Sequence, residues 1–385
     1  MRGHGDSQQQ LFYSIDVESR IRRDHPWRTV KWRVDRILAE MNETFAGAYH
    51  KLGRPGIPPE RLLKALLLKG LYSVRSERQL VERIDTDLLF RWFLDMNPEE
   101  DSFDHSAISK NRKRFEEHGI AGAFFDAVLR EAMDEELASD DHFSVDGTMI
   151  ESMASMKSFR PIDESAEEEN DNQQDGNSFK PRNPDVDFHG KKRSNETHRS
   201  RTDPEARLYR KGPGKPAQLC HMGHVLSENR NGLIVEASVT QADGKAESDA
   251  TVDLVDRYIT KHGKSPRTVG ADKGYDEDPL LREMEDRGVQ PHFAMRAQPP
   301  ADPEKARADR KANIEARLRM QSRQKTPEYS VSQRFRKKVE ECFGWIKTIG
   351  GLSRSRWPDR WKLEQQFTLN AAAYNLVRMN KLKPL

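Results

Sequence analysis

At His142-Phe143-Ser144-Val145-Asp146-Gly147 the chain stops being helical. The segment leaves an acidic run, Asp134 to Asp141, and reads as a short strand ending in Asp146, with Gly147 free to turn the backbone. Two further strands follow much later, Ala217 to Glu228 and Leu233 to Thr240, joined by Asn229-Arg230-Asn231-Gly232, a hairpin turn by composition. A helix from about Ser248 to Lys261 carries Val252, Val255 and Ile259 on one face. Thr268 to Asp272 is a short strand of small residues, Pro279 to Arg287 a helix closed by Gly288, and Val289 to Met295 a fifth strand. Strand, hairpin, helix, strand, helix, strand predicts an α/β architecture, one mixed sheet flanked by helices.

Upstream, from Trp27 to Gly119, the pattern is helical. Pro59 suits a first helical turn, and Leu62, Leu63, Leu66 and Leu67 follow at helix spacing. Ser76 with Gln79 forms a capping box, Asp85 caps the next helix, and Ser106 opens a fourth. In that fourth helix Ile108 and Phe115 face inward, while Lys110, Arg112, Lys113 and Arg114 are expected outside, where they could touch DNA as a recognition helix does. The predicted plan is a flexible 1–30, an all-α DNA-binding or dimerisation domain over 31–120, and a catalytic domain over 121–156 and 216–348. Residues 157–215 form a polar insertion, expected to be mobile and to order on DNA through basic residues that include Lys191, Lys192 and Arg193. A helical segment, 349–385, packs with Leu363, Phe367, Ala371, Tyr374 and Val377.

The 385 residues leave room for two or three domains. A net charge of +2 is nearly neutral, but Lys305 to Arg360 holds sixteen Lys/Arg against six Asp/Glu. Such a tract, with Arg334, Lys337 and Lys338 in it, suits phosphate contact, although a solvated helical face has the same composition. Neither a membrane span nor a signal peptide is read, since no long apolar run exists and Met1 to Gln10 is polar, so a cytoplasmic protein is expected. Two cysteines, Cys220 and Cys342, support neither a disulfide framework nor a cysteine zinc site. In Cys220-His221-Met222-Gly223-His224 the two histidines would point to opposite faces of a strand, which speaks against zinc there. Gly212-Pro213-Gly214-Lys215 lacks the spacing of a phosphate-binding loop, so ATP is not implied.

Cutting a phosphodiester and reusing its 3′-hydroxyl calls for two hard cations about 4 Å apart, which prefer carboxylate oxygens. Asp146 and Asp272 each end a strand, and adjacent strands would bring both carboxylates to one sheet edge. A third carboxylate must come from a helix. In Arg336-Lys337-Lys338-Val339-Glu340-Glu341-Cys342-Phe343-Gly344-Trp345-Ile346-Lys347, residues Arg336, Glu340 and Lys347 fall within about 40° on a continuous helix, whereas Glu341 points about 100° away from Glu340.

The ordered set Ser144-Val145-Asp146-Gly147-Thr148-Met149-Ile150-Glu151, Gly270-Ala271-Asp272-Lys273-Gly274-Tyr275 and Val339-Glu340 with Phe343-Gly344-Trp345-Ile346-Lys347 resembles the IS5 family of bacterial insertion-sequence transposases. The resemblance covers most of the chain beyond about residue 30. It implies a ribonuclease-H-like core, with Asp146, Asp272 and Glu340 holding two Mg2+ or Mn2+ ions. It also implies recognition of terminal inverted repeats on double-stranded DNA, a homodimer in the synaptic complex, and association with the nucleoid. The related IS4 type carries a Tyr, Arg, Glu, Lys signature. Its last three residues fall on Arg336, Glu340 and Lys347, but its Tyr position is Gln333, so cleavage through a DNA hairpin is not implied. A metal-dependent nuclease that cuts without rejoining would share every acid, and a non-catalytic DNA-binding relative would not need them.

Overall fold

The computed structural model describes residues 15–49, 56–162, 193–212, 214–296, 303 and 307–384. Lys191 and Lys192 lie outside them. Eight helices come first: α1 (Val17–Arg20), α2 (Pro26–Glu40), α3 (Asn42–Ala48), α4 (Pro59–Leu71), α5 (Glu77–Thr86), α6 (Leu88–Phe93), α7 (His105–Glu117) and α8 (Ile120–Asp134). The Ser76 cap forms as expected, its hydroxyl accepting from the Gln79 amide. Two other caps differ from expectation. Asp87 caps α6 in place of Asp85, and Asp104 caps α7 in place of Ser106, each accepting from the amide two residues on. In both places the carboxylate next to the first helical turn reaches that amide, and the earlier candidate or the hydroxyl does not.

The sheet contains β1 (His142–Glu151), β4 (Arg207–Tyr209), β5 (Gln218–Glu228), β6 (Ile234–Gln241), β7 (Thr268–Ala271) and β8 (Gln290–Phe293). β5 is antiparallel to β1 on one edge, and on its other edge it pairs with β6 and then β4. β7 runs parallel to β1, and β8 parallel to β7. An antiparallel meander continued by two parallel strands, each reached through a helix, is a ribonuclease-H-like sheet, here preceded by an all-α region. Between β6 and β7 runs α9 (Ala246–His262), and between β7 and β8 runs α10 (Asp278–Asp286).

β1 is longer than its sequence suggests. It does not stop at Asp146 but stays paired to β5 through Glu151, because the hydrophobic alternation resumes at Met149 and Ile150 and β5 is long enough to satisfy it. Gly147 therefore does not turn the chain. The polar insertion also proves partly ordered. Residues 159–161 (β2) pair with 198–200 (β3), and β4 joins the main sheet. A buried clamp anchors its returning end, in which Asp203 accepts from the Ser152 hydroxyl at 2.6 Å and lies 3.0 Å from His221 Nε2. The insertion has few aliphatic residues, and this polar network adds to a small apolar cluster of Phe159, Ala206 and Leu208 with Ala154 and Leu219.

Four helices complete the chain: α11 (Ala308–Arg323), α12 (Pro327–Phe335), α13 (Lys338–Thr348) and α14 (Arg360–Leu382). Helix α14 packs at once on β6, α4 and α8, so the N-terminal helices and one face of the sheet share a continuous apolar core. Two glycines permit this. A Cβ at Gly223 would meet the Phe367 ring at 2.8 Å, and one at Gly70 would meet Asn370 Oδ1 at 2.5 Å. Asn375 bonds both the amide and the carbonyl of Ile234, at 2.9 and 2.8 Å, and so treats the edge of β6 as a neighbouring strand would. On the opposite face Tyr258 of α9 meets Phe143 edge-on, with ring centroids 4.8 Å apart. Among the described residues no helix is long and apolar enough to cross a membrane.

The basic residues assigned to DNA divide sharply. Lys110 and Lys113 are exposed on α7, but Arg112 is 1% exposed and reaches inward to Glu77, Gln365 and Gln366. Its outward placement was wrong, because α7 lies between α5 and α14 and buries a wider face than Ile108 and Phe115 alone mark out. Arg114 stacks over Tyr49 at 4.4 Å. Lys338 is also committed, since its ammonium caps the hairpin carbonyls of Asn229 and Arg230. Arg193, Arg334 and Lys337 are accounted for differently: Arg193 is half-buried, Arg334 is exposed and stacks on Phe335, and Lys337 is exposed. Much of the remaining basic tract is neutralised within the fold, with Arg317 on Asp276 and Asp278, and Arg319 and Arg323 on Glu285.

Candidate active site

The β1–β7 register pairs Ser144 with Gly270, so Asp146 and Asp272 stand at the same level on neighbouring parallel strands. Each aspartate uses one oxygen locally. Asp146 Oδ1 accepts from the Gly147 amide at 2.9 Å and Asp272 Oδ1 from the Gly274 amide at 2.6 Å. Gly270 keeps the neighbourhood thin. A Cβ there would sit 3.1 Å from Ser332 Oγ and 3.3 Å from Ser144 Oγ, so the glycine lets α12 lie close against β7 without those hydroxyls giving way. That close approach delivers Arg336 and the start of α13 to the two aspartates.

The helix bearing Arg336, Glu340 and Lys347 is not continuous. α12 ends at Phe335, Arg336 and Lys337 form a turn, and α13 begins at Lys338. Both turn residues keep right-handed helical dihedrals, so the chain bends without reversing and the three side chains still converge. The electrostatics record this. Burial pushes the Asp146 carboxyl up to about 6, the Gly147 amide and Arg336 oppose the rise, and Asp272 and Glu340 add to it. Burial and Lys211 lower the half-buried Lys347 ammonium while Asp146 opposes them, which puts Lys347 on the same site. Glu341 faces elsewhere and pairs with Arg378 at 3.3 Å. Gln333, at the position where the IS4 type has Tyr, turns its amide to the Ala271 and His292 carbonyls and ties β7 to β8 just before Asp272.

One acid was not foreseen. Glu247, in the first turn of α9, is pushed up to about 7 by burial, then by Asp272 and Asp146, with Lys211 opposing. From sequence alone it is an acid at a helix N-terminus, where acids are common for the helix dipole's sake. Only the sheet order brings that helix start beside Asp272. Tyr275 is 1% exposed, and its hydroxyl titrates well above the usual range because of burial and then Glu247, Asp146 and Asp272.

Among the described residues no three His, Cys, Asp or Glu side chains share one point at ligating distance. The donor set nonetheless fits a hard divalent cation. It offers only carboxylate oxygens, each aspartate keeps one oxygen free of hydrogen bonds among the described residues, and burial together with neighbouring acids raises the proton affinity of Asp146 and Glu247.

Carboxylates gathered at the edge of an α/β sheet are the arrangement of metal-dependent phosphodiester chemistry. The comparisons with known families narrow that class. A family described as Transposase domain (DUF772) matches residues 15–114, and one described as Transposase DDE domain matches residues 196–376. The chain is a DNA transposase of the DDE type. The second match begins after β1, so Asp146 stands outside it. Among solved structures the chain resembles a piggyBac transposase synaptic complex with hairpin DNA at a TM-score of 0.39 and 11% identity, covering 92% of this chain and 75% of that one. It also resembles a Mos1 transposase paired-end complex with the left transposon end at a TM-score of 0.21 and 10% identity, covering 84% and 88%. A Mos1 mariner paired-end complex with Mn gives 0.20 and 11%, covering 82% and 86%. No residue assignment rests on likenesses this distant. No curated protein sequence matches the chain.

Proposed function

We propose that this transposase is of the IS5 type, binds the terminal inverted repeats of its own insertion sequence as a homodimer, and cleaves and transfers DNA strands at Asp146, Asp272 and Glu340. The observation that carries the reading is the convergence of Asp272, Arg336 and Glu340 on the buried Asp146, whose carboxyl is pushed up to about 6 by burial first and then by the two neighbouring acids. Two bound Mg2+ or Mn2+ ions would supply activation of the attacking oxygen and stabilisation of the leaving oxygen. The chain's own part is to hold its carboxylates on rigid strands and one helix, and to set Arg336 and Lys347 against the scissile phosphate. The half-buried Lys347 is weakly hydrated and so interacts more strongly with a developing negative charge.

The test uses the full chain with duplexes carrying the inverted repeats that flank its gene. Nicking at the repeat boundary, followed by joining of the 3′ end to a target, supports the reading. Cutting without joining would replace it with a nuclease. Flanks without inverted repeats and without a short target duplication would count against an insertion sequence altogether.

Lys347→Ala is expected to slow cleavage or joining by on the order of a hundredfold, as loss of a transition-state donor does. The melting temperature should hardly change, because Lys347 has no ion-pair partner among the described residues. Normal rates in single-turnover assays would remove Lys347 from the site and weaken the case for Glu340.

A further inference from the structure

We propose that Glu247 is a fourth carboxylate of the metal site, admitted to it by the glycines that follow the two aspartates. The inference rests on the reading that Asp146 and Asp272 hold the metal. Its geometry is carried by Gly147 and Gly274. A Cβ on Gly147 would lie 3.0 Å from Glu247 Oε1, and a Cβ on Gly274 would lie 2.9 Å from Asp272 Oδ1 and 3.5 Å from Glu247 Oε2. The Glu247 carboxylate thus spans the space between the residue after Asp146 and the residue two after Asp272. A side chain at Gly147 would force the carboxylate to shift from this position. No hydrogen bond or ion pair to this carboxylate occurs among the described residues, although it is half-buried.

Two buried polar atoms point to a missing occupant of the same space. His224 is fully buried, and its Nε2 lies 2.8 Å from Thr240 Oγ1. That hydroxyl also lies 3.1 Å from the Gln241 carbonyl, and with its proton directed there Nε2 is the donor and Nδ1 carries a lone pair. Nδ1 has no partner and lies 3.2 Å from the same Gly147 Cβ position that Glu247 abuts. The Tyr275 hydroxyl, buried beside the acids, has no partner either. A hydrated cation on Glu247 would satisfy both, since its bound waters would donate to Nδ1 and to the phenol oxygen.

Mn2+ binding to the full chain without DNA, followed by calorimetry and by loss of the free-ion electron paramagnetic resonance signal, separates the possibilities. Glu247→Gln should weaken Mn2+ binding at least about tenfold while the protein stays folded. Gly147→Ala should weaken it comparably in the natural chain but add little in the Glu247→Gln background, because both changes remove one interaction. Wild-type affinity in Glu247→Gln, with binding lost in Asp272→Asn, would overturn the role of Glu247 alone. Wild-type affinity in Asp272→Asn would instead overturn the metal site on which the inference rests.

Discussion

Asp146→Asn is expected to abolish metal-dependent strand cleavage, by more than about a thousandfold, and at the same time to make the protein more stable. The loss follows from the chemistry, since an amide cannot supply the negative oxygen a hard cation needs. The gain follows from the charge. Asp146 titrates at about 6 in the fold, above the ordinary carboxylate value of 3.8, because burial and the facing Asp272 and Glu340 outweigh Arg336 and the Gly147 amide. A carboxyl whose folded value is raised costs nothing below about pH 4, where it is protonated in both states. Its penalty grows as pH rises from about 4 to about 6 and is complete above that. At pH 7.5 Asn avoids a penalty on the order of 2–3 kcal/mol, a few degrees in melting temperature. Thermal scans at pH 4 and pH 7.5 test the sign, and the advantage of Asn should vanish at the lower pH. A variant that is less stable than the natural chain at pH 7.5, or one that still cuts DNA, would show that Asp146 is a structural acid and not a strained one.

Arg112→Ala should destabilise the protein by about 3–5 kcal/mol, the range for breaking a buried ion pair on one side. Arg112 donates to Glu77 at 2.7 Å and to Gln365 and Gln366 at 3.1 Å each, and its guanidinium lies 4.9 Å from the centre of the Trp357 ring. Burial alone would raise the Glu77 carboxyl, and Arg112 with Ser109 and Lys69 more than reverses that, so the glutamate depends on this arginine to stay charged. Removing the arginine leaves Glu77 with only the Ser109 hydroxyl as a side-chain donor and takes the donor from the Gln365 and Gln366 amide oxygens between α5, α7 and α14. Lys110→Ala and Lys113→Ala, on the exposed side of the same helix, should stay within about 0.5 kcal/mol of the natural chain. Denaturant titrations of the three variants distinguish them. A small loss for Arg112→Ala would mean that α7 does not pack as described. The exposed pair carries the remaining DNA question for this helix, since neutralising Lys110 and Lys113 should flatten the salt dependence of DNA affinity if they touch phosphate.

The sequence by itself determined the order of elements, because hydrophobic period and turn composition are local properties. The strand at His142, the Asn229–Gly232 hairpin and the strand before Asp272 could be read from neighbouring residues, and an alternating sheet with intervening helices follows from them. Four- and seven-residue spacing likewise placed Arg336, Glu340 and Lys347 on one side of a helix, and the bend at Arg336 did not separate them. Tertiary structure decided what depends on distant partners. β1 runs past Asp146 because β5 is there to pair with it, and Arg112 turns inward because α14, some 250 residues later, offers it two amides. Asp203 is buried because Ser152 and His221 close on it. Glu247 has an unremarkable local context, an acid in a first helical turn, and only the placement of α9 beside the β7 end turns it toward Asp272. Contacts of that kind are set by how elements pack and not by the residues on either side, so no local pattern could have carried them.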